Sequence, residues 1–562
     1  MRFDLIIRNG RVIDGTGLKG YAADIAIKGG RIARIGRIDD SGEREYDATG
    51  LVVCPGFIDV HTHYDVQLDW DPLATPSAWH GVTTVMAGNC GFTLAPAKPD
   101  DVAWLARMLS RVEGMSADAL SEGLRFKGGG FGDFWNRFEG KIGVNVGAYV
   151  GHCAVRRFVM GEDASERAAT KDEVEAMKEL VREGMREGAI GFSTSQLDIH
   201  VGEDGREVPS NHATHEELVE LASVLSEFDH GAVEIIPHSF ATGYDDADRK
   251  LLVDLYKASG KPVELNPLVP STTNPMGWEA TLNFVSEMAE QGIRLHPMCS
   301  VNKLEAHLRL IDTFIFDESL LWREVLCLPE PDRMNALRDP VMREKLRLAN
   351  EDPTGRAFVM DFDRLIVEQA TVESNKALEG RAVGEIAKER GVTSLDCFLD
   401  LSLSEDLKMN FYTEMEDVAN EFMRHINRTA VLNPMVMAGS SDGGAHLATF
   451  VGADYTTRLL SEYVPDPLSL EEAIYRLTGM PANVHGLVDR GTLRVGAKAD
   501  LVCFDAEGLK ASRAYLVEDF PANSSRYVVD SEGYKLTVVN GQILVEDGEH
   551  TGALPGEVLQ GT

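Results

Sequence analysis

The sequence predicts an α/β protein: a TIM-type (β/α)8 barrel carrying a small discontinuous β-sandwich made from both termini. Three observations carry this prediction. Between about 55 and 485, short apolar strands alternate with amphipathic helical patterns, as repeated βαβ units around a parallel sheet require. Eight strand ends follow in order, at His61, Cys90, His152, Ser193, His238, Asn266, His296 and Asp442, the number a closed barrel uses, with reactive groups on its C-terminal face. Residues 1–54 and 486–562 hold short alternating strands that lack a core of their own and that pairing between the two ends would complete.

In chain order, 4–8, 11–14, 23–28 and 31–36 alternate apolar and polar residues, with Asn9-Gly10 and Gly29-Gly30 as hairpin turns. Their mates are 501–504, 535–539 and 542–546. The stretch 51–60 reads as a buried strand that ends in His61-Thr62-His63. In a strand, residues i and i+2 share a face, so both imidazoles project together, as a metal requires. Two solvent-facing loop histidines are the bland alternative; the preceding apolar strand and the flanking Asp59 and Asp65 favour ligands. Cys90 follows the apolar run 82–86 and is either a thiolate ligand or a small buried structural residue.

His152 ends the third strand and is a candidate donor to a substrate carbonyl, with Arg156 and Arg157 as the nearest basic pair for a carboxylate. Residues 171–187 and 215–228 read as helices. The span between His296 and Asp442 far exceeds an ordinary crossover. A helical insertion at about 300–380 is expected there, either a lid over the barrel mouth or a peripheral decoration. Asp442 ends the last strand and suits a general base that later acts as acid, although aspartate is also a good helix N-cap. His446, one turn on, either touches substrate or packs.

Composition narrows the class. The 562 residues are 44% hydrophobic with a formal charge of −35, which argues against nucleic acid and anionic membranes as partners. No apolar run is long enough to span a bilayer, and the N-terminus reads as a strand rather than a signal peptide, so a cytoplasmic protein is expected. Seven cysteines, an odd number without a C-x-x-C pair, read as reduced thiols. The glycines at 128–130 lack the frame of a phosphate-binding loop.

The stretch Pro55-Gly56-Phe57-Ile58-Asp59-Val60-His61-Thr62-His63-Tyr64-Asp65 resembles the first barrel strand of the amidohydrolase superfamily. Asn89-Cys90-Gly91-Phe92, Gly188 to Thr194, Gly439-Ser440-Ser441-Asp442-Gly443 and the tail from Gly486 to Val502 resemble its N-acyl-D-amino-acid deacylase (D-aminoacylase) branch. The resemblance implies a zinc-dependent hydrolase of an amide C–N bond in a small-molecule substrate. It implies one tight zinc site, a second weaker site being left open, and a ligand role for Cys90 beside His61, His63 and Asp442. Homo-oligomerisation is left open as well. The branch also places histidine ligands on strands five and six, the latter followed by a lysine that meets the substrate carboxylate. His238 is the candidate for the first. Asn266 stands in place of the second with no lysine after it, and His296 is a candidate to fill the vacancy.

Strand four offers Ser193 and Thr194, so the metal-bridging carboxylated lysine of other branches has no counterpart. These departures keep a hydrolase of cyclic amides, imides or lactones, or a cyclising enzyme, as the second reading, with a non-catalytic scaffold barrel third. Substrate contacts are then sought among His152, Arg156, Arg157, Asn266, His296 and His446, with Lys303, Arg309 and Arg323 of the insertion in reserve.

Overall fold

The computed structural model describes residues 2–202, 204–269, 274–302, 305–313, 315–352, 359–414 and 417–561; Lys303 therefore lies outside the described residues. Parallel strands form the centre. Phe57–Asp59, Val82–Ala87 and Asn145–Ala148 make one three-stranded parallel sheet. Val150–Gly151, Gly191–Ser195, Ala232–Ile236, Val263–Leu268, Leu295–Cys299 and Met437–Ala438 make a second of six, paired in chain order.

The third strand is broken at Tyr149 and belongs to both sheets. The Tyr149 amide donates to the Ala87 carbonyl at 3.0 Å, and the Ile190 amide to that of Ala148 at 2.9 Å. At the other edge the His63 amide donates to the Gly443 carbonyl at 2.7 Å, so the segments that follow the first and last strands also meet.

Helices join successive strands, and their sequences show why they start where they do. Lys171–Arg186 opens on a reciprocal cap: the Thr170 hydroxyl accepts from the Glu173 amide while Glu173 accepts from that of Thr170. Its buried residues Met177, Val181, Gly184 and Met185 repeat at helical spacing. A Cβ on Gly184 would lie 2.5 Å from a Val150 methyl carbon, so glycine lets this helix sit close on the third strand.

Strands from both ends share one nine-stranded mixed sheet, joined where Val52–Pro55 pairs antiparallel with Leu501–Phe504. Leu5, Ile25, Val53, Leu501 and Val538 pack in its apolar cluster. The segment expected as a helical insertion at about 300–380 packs a cluster that runs on to Phe411. It contains helices and also a three-stranded antiparallel sheet of Glu305–Leu308, Asn410–Glu414 and Ile366–Gln369. These strands are only four or five residues long, too short for their alternation to stand out among the helical patterns around them. Phe316 stacks on Trp322 at 4.4 Å in this cluster, and burying each ring contributes roughly 1.5–3 kcal/mol. Among the described residues, no helix is long and apolar enough to cross a membrane.

Candidate metal centre

Beyond Asp59 the chain carries His61 and His63 to one side. Their rings meet edge-on, centroids 5.3 Å apart, and both are buried. Cys90 arrives from the second strand on a tight turn, its own backbone left-handed at φ 56°. Its Sγ lies 3.4 Å from His61 Nε2, and the ligand atoms of His61, His63 and Cys90 all lie within 4.8 Å of one another. Asp442 comes from the loop after the last strand, with Oδ1 3.2 Å from His61 Nε2 and 3.6 Å from His63 Nε2. Its side chain is 21% exposed, so the cluster is approached from this side.

Three further groups complete the surroundings. Glu234, inward-facing on the fifth strand, accepts from the Cys90 amide at 2.7 Å through Oε2, and its Oε1 lies 3.7 Å from His61 Nδ1. Asn266 Nδ2 sits 3.2 Å from His61 Nε2. Glu113, in the turn after helix Val102–Val112, has Oε1 3.4 Å from His63 Nδ1. Sequence reasoning missed Glu234 and Glu113. Glu234 carries a signal, a carboxylate inside the apolar run Ala232-Val233-Glu234-Ile235-Ile236; Glu113 carries none.

Burial raises the carboxyls of Glu113 and Asp59 to about 7 and of Asp65 to about 6, and pushes Glu234 well above the carboxylate range. Burial also favours a neutral Asp442, but the hydrogen-bonded imidazoles of His61 and His63 hold it well below its ordinary value. For His63 burial acts downward, and the charges of Glu113 and Asp442 overcome it, lifting the ring to about 9. Four buried carboxyls and the partly exposed Asp442 surround the two imidazoles, a set of groups whose ionised carboxylates a divalent cation would stabilise. The donors suit zinc: imidazole, thiolate and carboxylate. Buried His61 Nδ1, His63 Nδ1, Glu234 Oε1 and Asn266 Oδ1 also lack hydrogen-bond partners. A metal binding here would release the His63 proton, since ligands coordinate deprotonated.

Other expected site residues lie elsewhere. The fifth strand stops at Ile236, and after Pro237 the chain turns, leaving His238 exposed against Asp198 at 3.3 Å. Helix His152–Met160 starts at the strand end and turns the arginines away from the mouth. Arg156 is sealed against Glu217 at 2.6 Å, and Arg157 against Asp101 and Glu162 at 2.8 and 2.6 Å. Neither is placed to receive a substrate carboxylate. His152 spends both ring nitrogens on Thr194 and Glu217, at 2.8 and 3.0 Å, which removes it as a free donor. His296 is buried and donates to the Met435 carbonyl at 3.0 Å instead of filling the strand-six vacancy. Arg309 pairs with Asp312, and Arg323 donates to the Asp198 carbonyl. His446 stays beside the cluster, its Nε2 3.8 Å from Glu113 Oε2, and burial lowers it to about 4.

Comparison with known proteins agrees with this architecture. The profile of the amidohydrolase family matches residues 44–545. The chain belongs to the amidohydrolase family. The D-aminoacylase of Alcaligenes xylosoxydans xylosoxydans is 28% identical over 571 residues, covering 100% of this amidohydrolase and 98% of that protein. A solved D-aminoacylase, described by its binuclear metal center with one-metal activation and second-metal attenuation, superposes with a TM-score of 0.68 at 26% identity over 99% of this chain and 100% of that one. An N-acyl-D-glutamate deacylase from Bordetella bronchiseptica, complexed with zinc and a phosphonate inhibitor, shares the fold over 100% of both chains, with a TM-score of 0.70 at 24% identity. This amidohydrolase is accordingly an enzyme, a metal-dependent hydrolase of amide bonds in small molecules.

Proposed function

We propose that this amidohydrolase removes the acyl group from N-acyl-D-amino acids, using zinc held by His61, His63, Cys90 and Asp442 in the mouth of a closed (β/α)8 barrel. The sheet shared by both ends is read as a separate small β-domain. The observation that carries the chemistry is the convergence of three strand ends, placing His61, His63 and Cys90 donors within 4.8 Å with Asp442 against both imidazoles. The substrate class follows the full-length likeness to D-aminoacylase.

Zinc bound there supplies Lewis acidity, lowering the pKa of water from about 15.7 toward 7 and polarising the amide carbonyl. Asp442, ionised and partly exposed, takes the proton from the attacking water and returns it to the leaving nitrogen. Glu234 fixes the Cys90 turn through its amide, and Asn266 lies against His61. His446, kept neutral by burial, replaces His152 as the donor to the developing oxyanion.

A second reading, hydrolysis of cyclic amides or imides, is favoured by Arg156 and Arg157 being locked in internal ion pairs, away from any substrate carboxylate. The test is elemental analysis of protein purified without added metal, with parallel assays of N-acetyl-D-amino acids, their L-enantiomers and hydantoin-type rings. Bound zinc with turnover of the D-series supports the proposal. An active metal-free preparation overturns the mechanism, and turnover confined to rings overturns the substrate class.

A further inference from the structure

The loop carrying Asp442 is held from two sides, by the ends of the parallel strands at 439–443 and by segments outside them at 446–449. From Gly439 to His446 the backbone has positive φ at Gly439, Ser440, Asp442, Gly444 and His446. Three of these bear side chains, and such conformations persist only where the surroundings over-determine them. The first strand supplies part of the restraint, with the Asp442 amide donating to the His61 carbonyl at 3.1 Å.

Three remote segments hold the stretch that follows. The His446 amide donates to the Glu113 carbonyl, the Tyr527 amide to that of Leu447 at 2.9 Å, and the His307 amide to that of Thr449 at 2.6 Å. Glu113 follows a helix tied to the inserted unit by Arg111, whose guanidinium meets both Asp317 oxygens at 2.5 and 2.7 Å. Tyr527 lies on Ser524–Val528 of the C-terminal hairpin, and His307 on Glu305–Leu308 of the inserted unit.

The side chains of these last two holders are joined. Their rings stack with centroids 3.9 Å apart, and Glu368 Oε2 accepts from the Tyr527 hydroxyl and lies 2.9 Å from His307 Nδ1. His307 and Tyr527 are buried. An apolar contact would join insertion to hairpin at least as firmly, whereas two buried rings hydrogen-bonded to one partly exposed carboxylate favour one arrangement. That arrangement sets where the Leu447 and Thr449 carbonyls are gripped.

We infer that His307, Glu368 and Tyr527 are positioning residues of the hydrolytic site. They fix the Leu447–Thr449 segment and, through it, the placement of Asp442 against the metal cluster. The inference rests on Asp442 acting as the base in the proposed function. A displacement of about 1 Å at such a group lowers turnover by up to about 10²-fold.

The test uses the full-length zinc enzyme and the variants Glu368→Ala, Glu368→Gln and Tyr527→Phe. In Glu368→Ala, kcat per bound zinc should fall about 10- to 100-fold with KM changed less than about two-fold and zinc content unaltered. Amide hydrogen exchange over 440–452 should quicken, while that of the helix Lys171–Arg186 stays as in the parent enzyme. Glu368→Gln, which still accepts from Tyr527, should restore most of both readouts. Unchanged kcat per zinc together with unchanged exchange at 440–452 would overturn the inference. So would a glutamine variant as impaired as the alanine one. If Glu368→Ala does not fold, Tyr527→Phe, which loses one hydroxyl in place, decides by the same two measurements. Failure of the parent enzyme on every amide would refute the function alone, because exchange at 440–452 reads the clamp without substrate.

Discussion

The two sides of the candidate metal centre are built from different chemistry. The first, second and last strands contribute His61, His63, Cys90 and Asp442, a borderline-soft set typical of zinc. The fifth and sixth strands contribute Glu234 and Asn266, a carboxylate and an amide. Glu234 already bonds the Cys90 amide, so that side orients the thiol and adds negative charge, while the other side supplies the nitrogen and sulfur donors. Zinc affinity should therefore depend steeply on one side and moderately on the other.

The largest effect is expected from His61→Ala or His63→Ala. Elemental analysis after gel filtration should find metal at background and activity lost, since water does not replace a ligand fixed at a strand end. Retention of stoichiometric zinc by either variant would mean that the tight site lies on the Glu234 side. Next comes Asp442→Asn, nearly isosteric, for which kcat should drop by about 10²–10⁴-fold with the circular dichroism spectrum unchanged. A loss under tenfold would assign the base elsewhere, Glu113 being the nearest alternative carboxylate beside His63. Glu234→Gln should weaken zinc binding by about 10–100-fold in a chelator competition, as changes to groups orienting a ligand do. An affinity loss equal to that of His61→Ala would erase the contrast between the two sides.

A final prediction separates the site from its scaffold. Arg156→Ala should leave KM where it is and lower stability by about 3–5 kcal/mol, because Glu217 is left buried without its guanidinium. Denaturant unfolding measures the second, and a KM rise without destabilisation would return Arg156 to the substrate. Burial acts to raise the Glu217 carboxyl, but His152 and Arg156 hold it below the ordinary 4.5. A group depressed on folding contributes fully above that value. Its contribution should fade as pH falls from 4.5 through the lower folded pKa, and Glu217→Gln should flatten that part of the acid unfolding curve.

The sequence by itself located most of the parallel strands, because apolar runs closed by polar residues report burial and backbone period directly; it misread Phe3–Val12 as two strands of a hairpin about Asn9-Gly10 and carried the fifth strand two residues too far. It also pointed to His61 and His63 together, since the spacing of two places both on one side of extended backbone, and they converge although the strand itself ends at Asp59. The structure alone decided which side chains meet. Glu113 stands in a turn with no local mark of its neighbour His63, while Glu234 reaches the site where His238 does not because the strand stops at Ile236. Arg156 and Arg157 look like a substrate pair in one dimension, yet the helix that begins at His152 rotates them onto Glu217 and Asp101. Likewise the stacking of His307 on Tyr527 joins segments far apart in the chain. Local pattern encodes period and burial; distance between remote side chains arises only when strands and helices pack, so half of the site had to await the folded chain.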